Sequence, residues 1–146
     1  MREVITRSER ETEAFGRELA GLIPAPAVLC MYGELGAGKT ALVRGLAEGM
    51  GLKCTVSSPT FTIVNEYLAD TADGIDLIHF DMYRLSSADE LFDIGWEDYL
   101  SRGAVCAVEW SENVAGAFEA DEVVVTFRKL GDTTREITVE GGALSC

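Results

Sequence analysis

Residues 33–40, GELGAGKT, constrain this chain more than any other stretch, because they fit G-x-x-x-x-G-K-[ST] at every fixed position. In a chain of this length such a match arises by accident on the order of 0.5% of the time. The flanking residues agree with it. Residues 27–32, AVLCMY, form a short continuous apolar run, as a strand buried on both faces would be. From about residue 39 to residue 50, Leu42, Leu46 and Met50 recur at helical spacing, with Gly51 at the end. Strand, glycine-rich turn and helix together let successive backbone N–H groups turn inward around a phosphate, and the helix offers its positive end. In such a cradle Lys39 places a mobile cation on the β- and γ-phosphates, and the Thr40 hydroxyl is a ligand for Mg²⁺. Binding of ATP with Mg²⁺ is therefore expected.

The rest of the chain reads as alternating strands and helices early and as strands late. Ser8 with Glu11 is a capping-box signature opening a helix that carries Phe15, Leu19 and Leu22 on one side and ends before Pro24. Residues 60–68, 76–84 and 104–110 read as strands, and Ser87 with Glu90 forms a second capping box before Leu91 and Ile94. Residues 123–130 and 135–140, joined by GDTT, predict an antiparallel hairpin. The expectation is an α/β chain forming one domain over residues 1–146. It is a three-layer P-loop NTPase-like domain with a central mixed, mostly parallel sheet and a C-terminal antiparallel hairpin.

A P-loop needs acidic partners to hold Mg²⁺ and orient water, and strand ends are where an α/β sheet supplies them. In DLIHFDMYR, period-two alternation puts Leu77, His79, Asp81 and Tyr83 on one face and Ile78, Phe80 and Met82 on the other. Asp81 thus falls where a strand emerges from the core. In AVCAVEW, Glu109 interrupts an apolar run near its C-terminal end. The plainer alternatives are that Asp81 pairs with Arg84 and that Glu109 caps a neighbouring helix. His79, the only histidine, reads as a packed or hydrogen-bonded core residue rather than a general base. In Ser57-Ser58-Pro59-Thr60, Thr60 is either part of a turn or a switch residue that closes on the γ-phosphate; composition leaves the two open.

Charge narrows the partners. Twenty-five acids against twelve bases leave a net charge of −13, with no basic run to lie along a phosphate backbone. A poor autonomous binder of tRNA or DNA is expected, and a more basic protein partner is favoured. The N-terminal MREVITRSERE has no apolar core, and the longest apolar run, residues 24–32, is too short for a bilayer. No membrane association is expected. Cys30, Cys54, Cys106 and Cys146 lack C-x-x-C spacing and read as packing residues of a cytoplasmic protein.

GELGAGKT, SPTF at residues 58–61, HFDMYRL at 79–85 and VEW at 108–110 come in the order and spacing of the bacterial TsaE (YjeE) family. The resemblance extends to Thr12-x-x-x-Gly16, to IGWEDYL at 94–100 and to Arg135 opening the last strand. It implies an ATPase of low intrinsic activity, required for threonylcarbamoylation of the adenosine beside the anticodon in tRNAs reading codons that begin with A. The family resembles an accessory that docks on the TsaD–TsaB pair, where TsaD performs the transfer and ATP hydrolysis resets the complex; tRNA is met only through those partners. Glu34, Leu35, Gly36, Ala37, Gly38, Lys39 and Thr40 are then implied as the phosphate cradle, and Thr40 and Glu109 as the Mg²⁺ ligands. Asp81 is implied as a water-orienting base or outer-shell metal partner, Thr60 as the switch threonine, and Thr12 and Arg135 as neighbours of the base or ribose. Met82 replaces a commoner leucine, and Ser111 follows Trp110 where proline is frequent.

Two other classes share the P-loop. A small-molecule kinase would need an acceptor pocket and a basic lid, yet Arg44, Arg84, Arg102 and Arg128 are scattered. A GTPase-like switch module would read guanine with N-K-x-D, which is absent.

Overall fold

The structure, a computed structural model, describes residues 2–23, 27–33, 38–52, 64–69, 74–81, 93, 95–101, 103–109 and 122–141. Seven strands form one sheet in the order β1-β7-β6-β2-β5-β4-β3. They are β1 (Arg2–Thr6), β2 (Ala27–Tyr32), β3 (Val64–Tyr67), β4 (Leu77–Asp81), β5 (Val105–Glu109), β6 (Val123–Lys129) and β7 (Arg135–Gly141). Among the described residues the helices given bounds are α1 (Glu9–Ala20), α2 (Lys39–Gly49) and α3 (Trp96–Ser101). The four central strands run parallel, while β3 and the β7–β1 flank are antiparallel. Among the described residues no helix is long and apolar enough to cross a membrane.

Alternation along the strands builds two cores. Leu29, Met31, Leu77, Val105 and Ala107 face α1 and α2, meeting Phe15, Leu19, Leu42 and Leu46. Ile78, Phe80, Cys106 and Val108 pack with Trp96 of α3 on the other side, giving helix, sheet and helix as three layers. Phe80 anchors α3 through edge-to-face contacts, at 5.0 Å to Trp96 and 5.3 Å to Tyr99. The central strands β2 and β5 are covered on both faces, which is why their sequences are unbroken apolar runs rather than alternating ones. Cys30 and Cys106 are buried within them.

The Ser8 capping box forms with one change. Ser8 Oγ accepts from the Glu11 N–H at 3.1 Å, but the Glu11 carboxylate reaches past the cap to the Arg7 N–H, also at 3.1 Å. Two elements were not anticipated. β1 is an edge strand with Glu3 and Ile5 outward, so its alternation is weak, and only its pairing with β7 makes it a strand. α3 is six residues long and is held by Phe80 rather than by its own propensity. The Ser87–Glu90 capping box and residues 60–63 of the strand expected from residue 60 lie outside the described residues.

The contact between α1 and α2 is glycine on backbone. A Cβ on Gly45 would stand 1.9 Å from the Glu13 carbonyl oxygen, and one on Gly16 would stand 2.4 Å from that of Leu42. Flanking this seam, Arg44 pairs with Glu13 at 2.6 Å and Arg17 with Glu48 at 2.7 Å. The Glu13 hydrogen bond raises the Arg44 guanidinium above its ordinary value. The seam sets the place of α2, which carries Lys39 and Thr40 in its first turn.

Candidate nucleotide site

β2 ends at Tyr32 and runs through Gly33 into the loop whose far end is Gly38, the residue that opens α2. Gly38 has φ +105°, a conformation that glycine adopts without strain. It offers no side chain as a cap, so the helix start keeps backbone N–H groups for another acceptor. Glu34, Leu35, Gly36 and Ala37 lie outside the described residues. Lys39 is 95% buried, being only 5% exposed, and its Nζ donates to the Gly33 carbonyl at 2.9 Å. The ammonium therefore sits against the start of the loop. Thr40 follows it in the first turn, half-buried.

Three parallel strand ends come level beside this loop. Glu109 is in register with Met31 on one side and with Asp81 on the other. Glu109 is buried, and its Oε2 lies 2.5 Å from His79 Nε2. Asp81 is described only in its backbone, and Thr60 lies outside the described residues.

A hard divalent cation fits this donor set. Carboxylate and hydroxyl oxygens suit Mg²⁺, and a cation shared with phosphates needs only one or two protein ligands. Among the described residues no cluster of three or more His, Cys, Asp or Glu side chains offers an alternative, nucleotide-independent site.

Beside the loop a cleft of about 220 Å³ opens between the starts of α1 and α2 and the β6–β7 turn. Thr12, Gly38, Ala41 and Arg135 line it, with Asp132 and Thr133 from the turn. Arg135 and Thr12, 123 positions apart by number, thus share one wall with the end of the phosphate loop. Their polar groups, however, are occupied by the fold. The Arg135 guanidinium donates to the carbonyls of Gly131, Asp132 and Thr134 at 2.9, 3.1 and 3.0 Å, tying the hairpin turn. The Thr12 hydroxyl donates to the Ser8 carbonyl at 3.3 Å and lies 2.7 Å from the Thr6 hydroxyl, while its methyl packs toward Gly38. Both residues shape the cleft wall. Thr6, which the sequence reading missed, belongs to this buried network; a threonine closing a weak edge strand carries no recognisable signal.

Thr12→Val keeps the methyl and removes the hydroxyl, leaving the buried Thr6 hydroxyl without its partner. A loss of about 1–3 kcal/mol is expected, read as a lower melting temperature. Thr12→Ser, which keeps the network, should melt close to the parent; equal melting of both variants would contradict the assignment.

A family model described as "Threonylcarbamoyl adenosine biosynthesis protein TsaE" matches residues 6–137. The chain is similar to the tRNA threonylcarbamoyladenosine biosynthesis protein TsaE of Treponema pallidum, at 38% identity over 92% of this chain and 97% of that one. It is similar to the Bacillus subtilis protein of the same name, at 38% identity over 91% and 81%. The crystal structure of Bacillus subtilis YdiB superposes with a TM-score of 0.79 and 31% identity, covering 97% of this chain and 86% of that one.

Proposed function

Because the chain belongs to the TsaE family of tRNA threonylcarbamoyladenosine biosynthesis, we propose that it is a Mg²⁺-dependent ATPase that docks on a TsaD–TsaB pair and supports that modification. The observation carrying this reading is the buried Lys39 ammonium, held at 2.9 Å on the first glycine of the loop it follows. Phosphates would draw that ammonium from the Gly33 carbonyl, since a charge-assisted bond to phosphate is stronger than one to a neutral carbonyl. Gly36, Ala37, Gly38 and the first turn of α2 would supply backbone N–H donors. Thr40 and Glu109 would hold Mg²⁺, which neutralises charge on the phosphates.

Asp81, in register with Glu109, is suited to orient the attacking water. Thr60 would close on the γ-phosphate, and the cleft walled by Thr12 and Arg135 would take ribose or base. The net charge of −13 agrees with tRNA being held by the partners rather than by this chain. Hydrolysis would then reset the complex between rounds of transfer by TsaD.

The test is ATP hydrolysis by the purified chain, first alone and then with its matched TsaD–TsaB pair. Slow turnover that rises in the complex is expected. No response to the pair would remove the partner assignment, and phosphorylation of a small acceptor would move the chain to the kinases. Within the active complex, Asp81→Ala should reduce turnover tenfold or more with ATP affinity little changed, and Glu109→Ala should reduce turnover further than it lowers affinity for the Mg²⁺ form of ATP, since general-base and metal roles act on the transition state. Parental turnover by either variant would strike that residue from the site.

A further inference from the structure

His79 stands where an apolar residue would serve the packing. Its strand neighbour on the same face is Leu77, and Val105 and Ala107 lie beside it on β5, all buried. The ring is completely buried, and its Nδ1 has no hydrogen-bond partner among the described residues. A buried nitrogen without a bond destabilises the fold, so the imidazole must supply something that a phenyl ring would not. What it supplies is one N–H, and that N–H points at Glu109, 30 residues away in the chain and 2.5 Å away in space. An ionised carboxylate only accepts, so the proton is placed on Nε2 and the ring donates to Oε2.

The register explains the reach. His79 is level with Ala107, whose methyl leaves room for the ring to lean forward, and Glu109 is two residues further along the same face. We propose that His79 is the positioning residue for Glu109, holding Oε2 so that Oε1 is the oxygen that takes the divalent cation. The proposal rests on the Mg²⁺–ATP reading above. A glutamate has three side-chain torsions to order, and a bond already made in the folded protein removes that freedom before the cation arrives. Carboxylates that ligate metals are commonly held by such outer partners, whose loss weakens metal binding by about 10- to 100-fold. Committing one oxygen to His79 also favours single-oxygen ligation, which suits the strict octahedral demand of Mg²⁺.

The experiment measures the affinity of a slowly hydrolysed ATP analogue, AMP-PNP, in saturating Mg²⁺ and again in EDTA, and takes the ratio. His79→Gln places an amide N–H₂ near the position of Nε2; His79→Asn places it near Nδ1, short of Glu109. His79→Phe keeps the ring volume and removes the donor. The expected result is that the Mg²⁺-to-EDTA ratio falls 10- to 100-fold in His79→Asn and His79→Phe and is restored in His79→Gln, with affinity in EDTA unchanged throughout. A purely packing role would not move that ratio. A parental ratio in His79→Asn or His79→Phe overturns the proposal while leaving Mg²⁺–ATP binding standing. If His79→Phe does not fold, the Gln–Asn pair decides alone, and equal ratios in those two overturn it. A parent protein whose affinity ignores Mg²⁺ overturns the underlying reading instead.

Discussion

Lys39→Met is expected to lower ATP affinity on the order of 100-fold while leaving the melting temperature near that of the parent. Methionine keeps the apolar stem that is buried at the start of α2 and removes only the ammonium. The lost charge-assisted bonds to phosphate are worth about 3 kcal/mol, which corresponds to two decades in affinity. Calorimetric titration of ATP against both proteins reads the difference directly. Unchanged affinity would undo the phosphate site, and a collapse in melting temperature would mean that Lys39 serves the fold through its Gly33 bond.

Gly45→Ala should be the most destabilising small substitution in the molecule. The new methyl would meet the Glu13 carbonyl oxygen at 1.9 Å, its carbonyl carbon at 2.7 Å and its Cα at 2.9 Å, all of them helix backbone with no rotamer to move aside. α1 and α2 would have to separate, at the expense of the Arg44–Glu13 pair and the shared apolar seam. A loss of about 3 kcal/mol or more is expected, a drop of roughly 6–12 °C in melting temperature for a protein of this size. Gly131→Ala, whose methyl would find nothing nearer than 3.9 Å, provides the comparison and should melt close to the parent. If Gly45→Ala does the same, the close helix contact is not what holds α2 in place.

Much of the fold was legible because it is written in short-range pattern. An apolar run, a glycine turn and a helical repeat are local features, and β2, Gly38 and α2 appear where those features stand. The hairpin of β6 and β7 was equally legible from alternation around GDTT. β1 and α3 were not, since one is a half-exposed edge and the other a short helix held by a ring on β4. The seam of Gly16 and Gly45 was also hidden. Glycine inside a helix usually lowers helix propensity, and nothing local says that another backbone will fill its place.

The site divides along the same line. Lys39, Thr40 and Glu109 stand out as candidates from the sequence alone, because a glycine-rich G-x-x-x-x-G-K-T loop and an acid ending an apolar strand are chemical signatures in themselves. That Glu109 faces His79, and that Thr12 and Arg135 share a wall with Gly38, was decided only when parallel strands came into register and the turn of the last hairpin came beside the start of α1. Local sequence sets which backbone conformations and which functional groups are available. Side-chain partners separated by 30 residues or more are chosen by strand order and helix packing, which no local pattern encodes.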